Sequence, residues 1–465
     1  MRRILMTAMI GCLALAWAAP ARACGSYLRM QVLQALADGA NAATIEELRA
    51  AGPAALDELF QLRDQMTKSL GEKTSQPTPT ADEVIQIERL QQRIQRLDEM
   101  IDQVGMQRYC SRSRLYWYTD FDKAVTAARE SGKPILSLRM LGNLNEDFSC
   151  ANSRFFRTTL YANAEISKTL RENFVLHWKS VRPVPRVTID FGDGRKLERT
   201  VTGNSAHYIL TPDGEVVDCL PGLYGPKAFL RKINEGLSMA RQVAALSPSE
   251  RGERLAAFHA KELADLQSAF GRDLILVSAA NDRALTAAPQ PSQQTRAAPP
   301  ANVPTSLARP KARIETRLVA AAIPTAADSL SLDDDAVWQR IAALHAEDAQ
   351  LDSASRELIK SENPTAAVAG RLAMTKALVE NPLVRLVRSL QESIGLDTVK
   401  NEYRFHRQIH GWLADGNYRP GIDELNERVY AELFLTPSSD PWLGLAPPDA
   451  YTALPNGGVV ANRGP

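Results

Sequence analysis

Cys150 and its neighbours form the clearest candidate for chemistry in this sequence. The cysteine lies in the segment Ser149-Cys150-Ala151-Asn152-Ser153, behind a short apolar run typical of a buried strand and at the start of a predicted helix. Ser153 occupies the place where a dithiol enzyme carries its second cysteine. This CxxS pattern permits thiol chemistry but not the intramolecular dithiol-to-disulfide cycle.

A cysteine at a helix N-terminus faces unsatisfied backbone N–H groups and the positive end of the helix dipole, and both favour the thiolate. Ser153, one turn further, could donate a hydrogen bond to the sulfur. Such a thiolate could attack a disulfide or a peroxide, but the resolving thiol must then come from elsewhere. Cys219 is the other cysteine of the same predicted domain. Three interpretations stay open for Cys150: a catalytic thiol, a structural disulfide with Cys219, or an inert buried cysteine.

Histidines supply two further candidates. His207 could face the Cys150 sulfur as a base or ion-pair partner, or it could simply be packed in a strand. Glu402, His406 and His410 are spaced four apart on one predicted helix face, as metal ligands can be, and Glu424 or Glu427 could complete a site. Arginines lie between them and no HExxH order occurs, so we interpret the face as solvated and predict neither a metal nor a cofactor.

Residues 1–23 have the three parts of a secretory signal: two arginines, a short apolar core and a small-x-small cleavage pattern. They predict a periplasmic or secreted protein without a membrane span. A lipid anchor at Cys24 is not expected, because Ala21 and Arg22 are poor matches to the residues that precede a lipidated cysteine. In an oxidising compartment Cys24 and Cys110 could form a disulfide around the N-terminal helices.

Length and charge limit the other possibilities. The chain of 465 residues is long enough for about three domains. Its formal net charge of +1 includes three arginines of the signal segment, and no basic face dominates, so nucleic acid is not an expected partner. The sequence leaves the oligomeric state open.

The hydrophobic pattern divides the chain into modules. We predict an α/β domain with a central mixed sheet flanked by helices, an all-α hairpin before it and a mainly α C-terminal domain after it. The predicted ranges are the signal segment 1–23, the helical hairpin 24–110, the α/β domain 111–245, a helical extension 246–282, a Pro/Ala-rich linker 283–312 and a helical C-terminal domain 313–465 with an irregular tail.

The order of motifs in residues 111–245 resembles the thioredoxin superfamily, and most closely its spermatogenesis-associated type. The motifs that carry the resemblance are Gly132-Lys133-Pro134 before a strand, Cys150 at a helix start, Glu172-Asn173-Phe174-Val175, and the turn Leu210-Thr211-Pro212-Asp213-Gly214. The resemblance covers about a quarter of the chain. It implies a thioredoxin fold, thiol–disulfide oxidoreductase or isomerase activity, and protein thiols or disulfides as substrates.

Two departures bear on that activity. Ser153 replaces the resolving cysteine, and the family's cis-proline should fall near Ser205 or Ala206, neither of which is proline. The first hypothesis is therefore an exported oxidoreductase that uses Cys150 as a single nucleophile, with Ser153 and His207 beside it and Cys219 as a possible resolving thiol. The alternative is a non-enzymatic module that binds a protein partner on a degenerate thioredoxin fold.

Overall fold

The computed structural model describes residues 19–75, 78–201, 203–287, 335–364, 382–443 and 445. Most of the predicted signal segment, most of the predicted linker and the end of the tail lie outside these residues. The chain divides into two compact units, Met1–Thr119 with Leu144–Asp147, and Asp120–Asn143 with Phe148–Pro465. No helix among the described residues is both long enough and apolar enough to cross a membrane.

The first unit is almost entirely helical. Its elements are α1 (Ala19–Asp38), α2 (Ala42–Ala50), α3 (Pro53–Thr74), α4 (Ala81–Gly105), the short α5 (Cys110–Ser113) and the two-residue strand β1 (Trp117–Tyr118).

Helices α3 and α4 lie antiparallel, as two contacts show. Arg63 pairs with Asp98 at 2.5 Å, and Lys73 donates to Gln86 at 2.9 Å, so residue numbers rise along α3 as they fall along α4. Thr80 begins α4 with a capping box. Apolar residues spaced alternately by three and four along α4 predict a packing seam, and this seam is buried in the second half of the helix, at Leu97, Ile101 and Val104. This packing supplies much of the core of the first unit.

The second unit contains the sheet. Its first part runs through α6 (Phe121–Ser131), β2 (Ile135–Leu141), α7 (Ala151–Phe155), a π-helical turn (Phe156–Leu160), α8 (Ala164–Asn173), β3 (Val175–Arg182), β4 (Arg186–Asp190), β5 (Lys196–Thr200), β6 (Ser205–Leu210), β7 (Val216–Pro221) and α9 (Pro226–Val243). Alternating residues and turn residues in the sequence predict these six strands, and the sequence also predicts a helix break around Ala162-Asn163. The strands are present, and the break lies between Leu160 and Ala164.

Strands β3, β2, β6 and β7 lie side by side in that order, with β3 parallel to β2 and the other two neighbouring pairs antiparallel. Leu138 on β2, His207 on β6 and Leu220 on β7 lie directly opposite one another in the sheet, so their side chains share one face. Tyr208 and Cys219 are opposed on the other face. The predicted mixed α/β architecture is therefore present, with β4 and β5 as a separate hairpin.

The remaining helices belong to the same unit as the sheet. They are α10 (Pro248–Ala287), α11 (Asp335–Leu344), a 3₁₀ turn (Ala346–Ala349), α12 (Ser353–Glu362), α13 (Pro382–Lys400), a π-helical turn (Asn401–His406), α14 (Arg407–Leu413), α15 (Ile422–Arg428) and a last π-helical turn (Val429–Leu433).

Long-range hydrogen bonds attach these C-terminal helices to the sheet. Tyr208 Oη donates to Asn426 Oδ1 at 3.2 Å, and Asn401 Nδ2 donates to the Leu223 carbonyl at 2.7 Å. At Gly225 an added Cβ would collide with the Asp348 carbonyl, which makes this close approach possible only for glycine. The C-terminal helices thus pack against the α/β core rather than lying apart from it.

Candidate functional site

Cys150 is the N-cap residue of α7, where the sequence predicted it. Its backbone N–H donates to the Leu141 carbonyl at 3.1 Å, which fixes the start of α7 beside the end of β2. Gly142 allows this approach, because it has a φ of +71° and an added Cβ would lie 3.3 Å from the Cα of Ser149. The cysteine side chain is completely buried, with 0% exposure.

The hydroxyl of Ser153 is directed to oxygen rather than to the sulfur. Ser153 Oγ lies 2.6 Å from Ser149 Oγ and 2.8 Å from the Cys150 carbonyl oxygen. A hydroxyl has one proton to donate, and both of these acceptors compete for it. Arg157 also donates to Ser149 Oγ, at 3.3 Å. Ser149, which the sequence analysis did not single out, is therefore the centre of this hydrogen-bond network.

A C-terminal segment covers this end of the sheet. Tyr430 Oη donates to the Asn204 carbonyl at 3.1 Å, and Asn204 Nδ2 donates to Thr436 Oγ1 at 2.7 Å. Arg182 donates to the carbonyls of Thr436 and Asp440. The phenol of Tyr430 is also close enough to Cys150 for a charge on the sulfur to interact with it. The burial of Cys150 thus involves residues almost 300 positions away in sequence.

Residues 203–206 lead into β6 and are tightly packed. The described residues contain no cis peptide bond. Gly203 approaches α7 so closely that an added Cβ would lie 2.8 Å from Asn152 Oδ1. Asn204, Ser205 and Ala206 are all fully buried. The segment before β6 therefore packs on the first turn of α7.

His207 bonds to a tyrosine. Its Nε2 lies 2.7 Å from Tyr161 Oη, and its ring packs against Phe156 and Phe229 with centroid distances of 4.6 and 5.0 Å. Burial lowers the pKa of His207 to about 3, so the imidazole is neutral at pH 7. The structure thus gives His207 a place in the apolar packing behind α7, with Tyr161 as its hydrogen-bond partner.

The other described cysteines are free and buried. Cys219 lies on the sheet face that His207 does not occupy, and burial raises the pKa of its thiol well above the ordinary value. Cys110 is also a free thiol, and its Sγ donates to the Leu115 carbonyl at 3.3 Å. The side chain of Cys24 lies outside the described ones, so the Cys24–Cys110 disulfide stays a prediction.

A second cluster of chemically capable side chains lies in the interior of the second unit. Asp218 on β7, His259 on α10 and His410 on α14 each offer a ligand atom, and these atoms all lie within 4.8 Å of one another. His406 joins them, with its Nε2 at 3.0 Å from Asp218 Oδ1. All four side chains are buried.

This cluster corrects the interpretation of the helix face that carries Glu402, His406 and His410. We expected a solvated face, but both histidines have 0% exposure, because the π-helical turn that ends at His406 packs against β7 and α14 packs against α10. Glu402 is not part of the cluster and instead lies 3.7 Å from the Lys232 ammonium. The four-residue spacing signalled the two histidines, whereas nothing local in the sequence marked Asp218 or His259.

Burial is the largest influence on the pKa values of Asp218, His259 and His410. Burial lowers the pKa of His410 well below its ordinary value and that of His259 to about 4. Burial alone would raise the pKa of Asp218, but His406 and His410 hold that pKa well below its ordinary value. At pH 7 the Asp218 carboxylate therefore lies beside the neutral imidazoles of His259 and His410.

Comparisons with protein-family models, with curated proteins and with solved structures found no match to this chain.

Proposed function

We propose that this chain is a non-enzymatic protein-interaction module, built on a thioredoxin-like α/β domain whose cysteine has lost its exchange chemistry. The observation that carries the proposal is the burial of Cys150 at 0% exposure, with Tyr430 of the C-terminal segment close to it. Thiol–disulfide exchange requires an accessible thiolate, and here the sulfur has no exposed surface. From the predicted signal segment we infer that the protein acts in the periplasm or outside the cell.

The neighbours expected to assist the thiol have other hydrogen-bond partners. Ser153 bonds to Ser149 and to a carbonyl, and His207 bonds to Tyr161. Cys219 belongs to the sheet face opposite His207, beside Tyr208. Ser153 and His207, which would activate the thiol, and Cys219, which would resolve a mixed disulfide, thus serve the internal packing of the domain.

The β4–β5 hairpin is the surface that we assign to the partner protein. Val187, Ile189 and Phe191 alternate along β4 and its turn, which puts their side chains on one face, and they are 41, 38 and 56% exposed. Adjacent exposed apolar side chains of this size are typical of protein contacts. Among the described residues no other strand pairs with the hairpin, so an extended segment of a partner could add to one of its edges.

A thiol oxidoreductase remains the second candidate because of one observation. Cys150 keeps its N-cap position, and Arg154 on the same short helix is close enough to interact with a thiolate. For this candidate to act, Tyr430 and Thr436 must first move away from the loop that contains Asn204.

Cysteine labelling of the folded protein tests the proposal. We expect maleimide to leave Cys150 unmodified in native buffer and to modify it fully in denaturant, with peptide mass mapping to assign the position. A Ser249→Cys variant, which places a thiol at an exposed position of α10, serves as the positive control.

The Ser153→Cys variant separates the two candidates. It restores the second cysteine of a dithiol pair, yet we expect no insulin reductase turnover from it, because Cys150 remains covered. Native labelling of Cys150, or turnover by Ser153→Cys, would instead favour the oxidoreductase. Tyr430→Ala should increase the labelling rate of Cys150 in either case, which checks that the C-terminal segment is the cover.

A further inference from the structure

The Asp218, His259, His406 and His410 cluster joins three segments that are far apart in the sequence. Asp218 comes from the edge strand β7, His259 from α10, and the other two from the end of the π-helical turn and α14. His406 and Asp218 are 188 residues apart, and His259 and His410 are 151 apart. Three of the six histidines in the chain therefore meet at one buried point.

Hydrogen bonding within the cluster leaves two ring nitrogens unsatisfied. His406 Nε2 faces the Asp218 carboxylate, which can only accept, so Nε2 donates and Nδ1 needs another partner. His259 Nδ1 and His410 Nδ1 lie 2.9 Å apart, so one of them must carry the proton that both share. His406 Nδ1 and His410 Nε2 are buried and have no hydrogen-bond partner among the described residues. Buried polar groups without partners are uncommon, so hydrogen bonds alone do not satisfy this cluster.

The donor set matches the preferences of a divalent transition metal. Imidazole nitrogen and carboxylate oxygen are common zinc ligands at about 2.0 to 2.2 Å, which sets neighbouring ligand atoms about 3.3 Å apart in a tetrahedral site. The His259 Nδ1 to His410 Nδ1 separation of 2.9 Å is within a few tenths of an ångström of that spacing. The rings of Phe258 and Tyr224 pack beside the histidines and help to keep water away.

We propose that Asp218, His259 and His410 bind one divalent transition-metal ion, of which Zn²⁺ is the best match, and that His406 is a positioning residue for Asp218. The hydrogen bond from His406 to Asp218 Oδ1 is the kind of support that metal-binding carboxylates receive. The bound ion connects β7 to α10 and α14. It therefore fastens the C-terminal helices to the sheet.

Metal binding to the purified, untagged protein tests this proposal directly. After chelator treatment and dialysis, we expect calorimetric titration to show one equivalent of Zn²⁺ bound. Co²⁺ should give the intense visible d–d absorption of a low-symmetry site without a near-ultraviolet thiolate band, because all the ligands are nitrogen and oxygen. At free Zn²⁺ a thousand-fold above Kd, the thermal midpoint should rise by about 5 to 10 °C.

Variants show whether the bound ion is at this cluster. His259→Gln and His410→Gln should each lose the stoichiometric binding and the thermal shift, and His406→Gln should weaken binding by about 10- to 100-fold. His345→Gln is the matched control, since His345 pairs with Asp273 outside the cluster and should leave binding unchanged.

The wild-type titration keeps the proposal testable even if a variant fails to fold. Absence of one-equivalent binding by the wild-type protein would show that the cluster is only a hydrogen-bond network. A thiolate band with Co²⁺, or binding that survives both ligand substitutions, would place the ion elsewhere and overturn the assignment.

Discussion

His207 illustrates how a buried side chain makes stability depend on pH. Its pKa is about 3 in the folded protein because of burial, against 6.5 for an exposed imidazole. Above pH 6.5 both the folded and the unfolded states hold a neutral ring, and the full contribution to stability is present. As the pH falls below 6.5 the unfolded state takes up a proton that the folded state does not, so stability decreases toward pH 3.

We therefore expect the His207→Gln variant to be less sensitive to acid than the wild-type protein. Between pH 7 and pH 5 the wild type should lose about 2 kcal/mol of unfolding free energy through His207, and the variant should not show this part of the loss. Urea unfolding at both pH values measures the difference. His177→Gln should behave alike, since burial also lowers the pKa of His177 to about 3. Identical acid sensitivity in wild type and variant would contradict the assignment.

At the scale of elements, Asn163 separates the Cys150 helix from the helix that follows it. Its side-chain oxygen accepts hydrogen bonds from the backbone N–H groups of Glu165 and Ile166, both at 3.1 Å. An asparagine N-cap satisfies backbone donors that the first turn of a helix leaves free. The chain can therefore end the π-helical turn at Leu160 and start α8 four residues later, at Ala164.

Replacement of Asn163 by alanine should destabilise the protein by about 1 kcal/mol, because two backbone donors lose their acceptor. Asn163→Asp is the control, and it should retain most of the stability since aspartate caps equally well. Both values come from urea unfolding at pH 7. If alanine and aspartate have the same effect, the cap does not determine where α8 begins.

Local signals explain which elements could be predicted from the sequence. The turns around Gly192-Asp193-Gly194 and Thr211-Pro212-Asp213-Gly214, with alternating residues on either side, predict β4 to β7 because both signals lie within a few residues. The N-cap position of Cys150 was predicted for the same reason. Its burial was not predictable, because Tyr430 and Thr436 have no local relation to it.

The same limit applies to the His–Asp cluster. A four-residue spacing marked His406 and His410, but Asp218 is a single acidic residue in an apolar strand, and His259 is a single histidine in a long helix. Only the packing of α10 and α14 on β7 brings them together. Spacing reveals ligands that share a helix, whereas ligands from different elements require the tertiary structure.

At the scale of the whole molecule, the C-terminal helices and the sheet form one compact unit although a long stretch of sequence separates them. The contacts between them include buried hydrogen bonds from Asn204 to Thr436 and from the Gly225 backbone N–H to Thr398. Arg231 on α9 also forms a bidentate ion pair with Asp348, in which both nitrogen–oxygen distances are 3.1 Å. Such an interface does not depend on the continuity of the chain.

We therefore expect the protein to stay assembled after the chain is cut. A protease site engineered into residues 283–312 should yield two fragments on a denaturing gel that still elute together, at the original volume, in gel filtration. Gly225→Ala provides a weakened interface for comparison, since its Cβ would collide with the Asp348 carbonyl, and its fragments should separate more readily. Separate elution of the wild-type fragments would show that residues after the cut form an independent domain.

The hydrogen bond between Tyr208 and Asn426 also determines when the second unit can finish folding. The two residues are 218 positions apart, so Asn426 is synthesised long after β6 is complete. A ribosome adds about 5 to 20 residues each second, which leaves an interval of about 10 to 45 s. Throughout that interval the growing chain carries Tyr208, Asp218 and Arg139 without the helices that bury them. A nascent chain stalled near residue 300 should therefore remain protease-sensitive in its sheet.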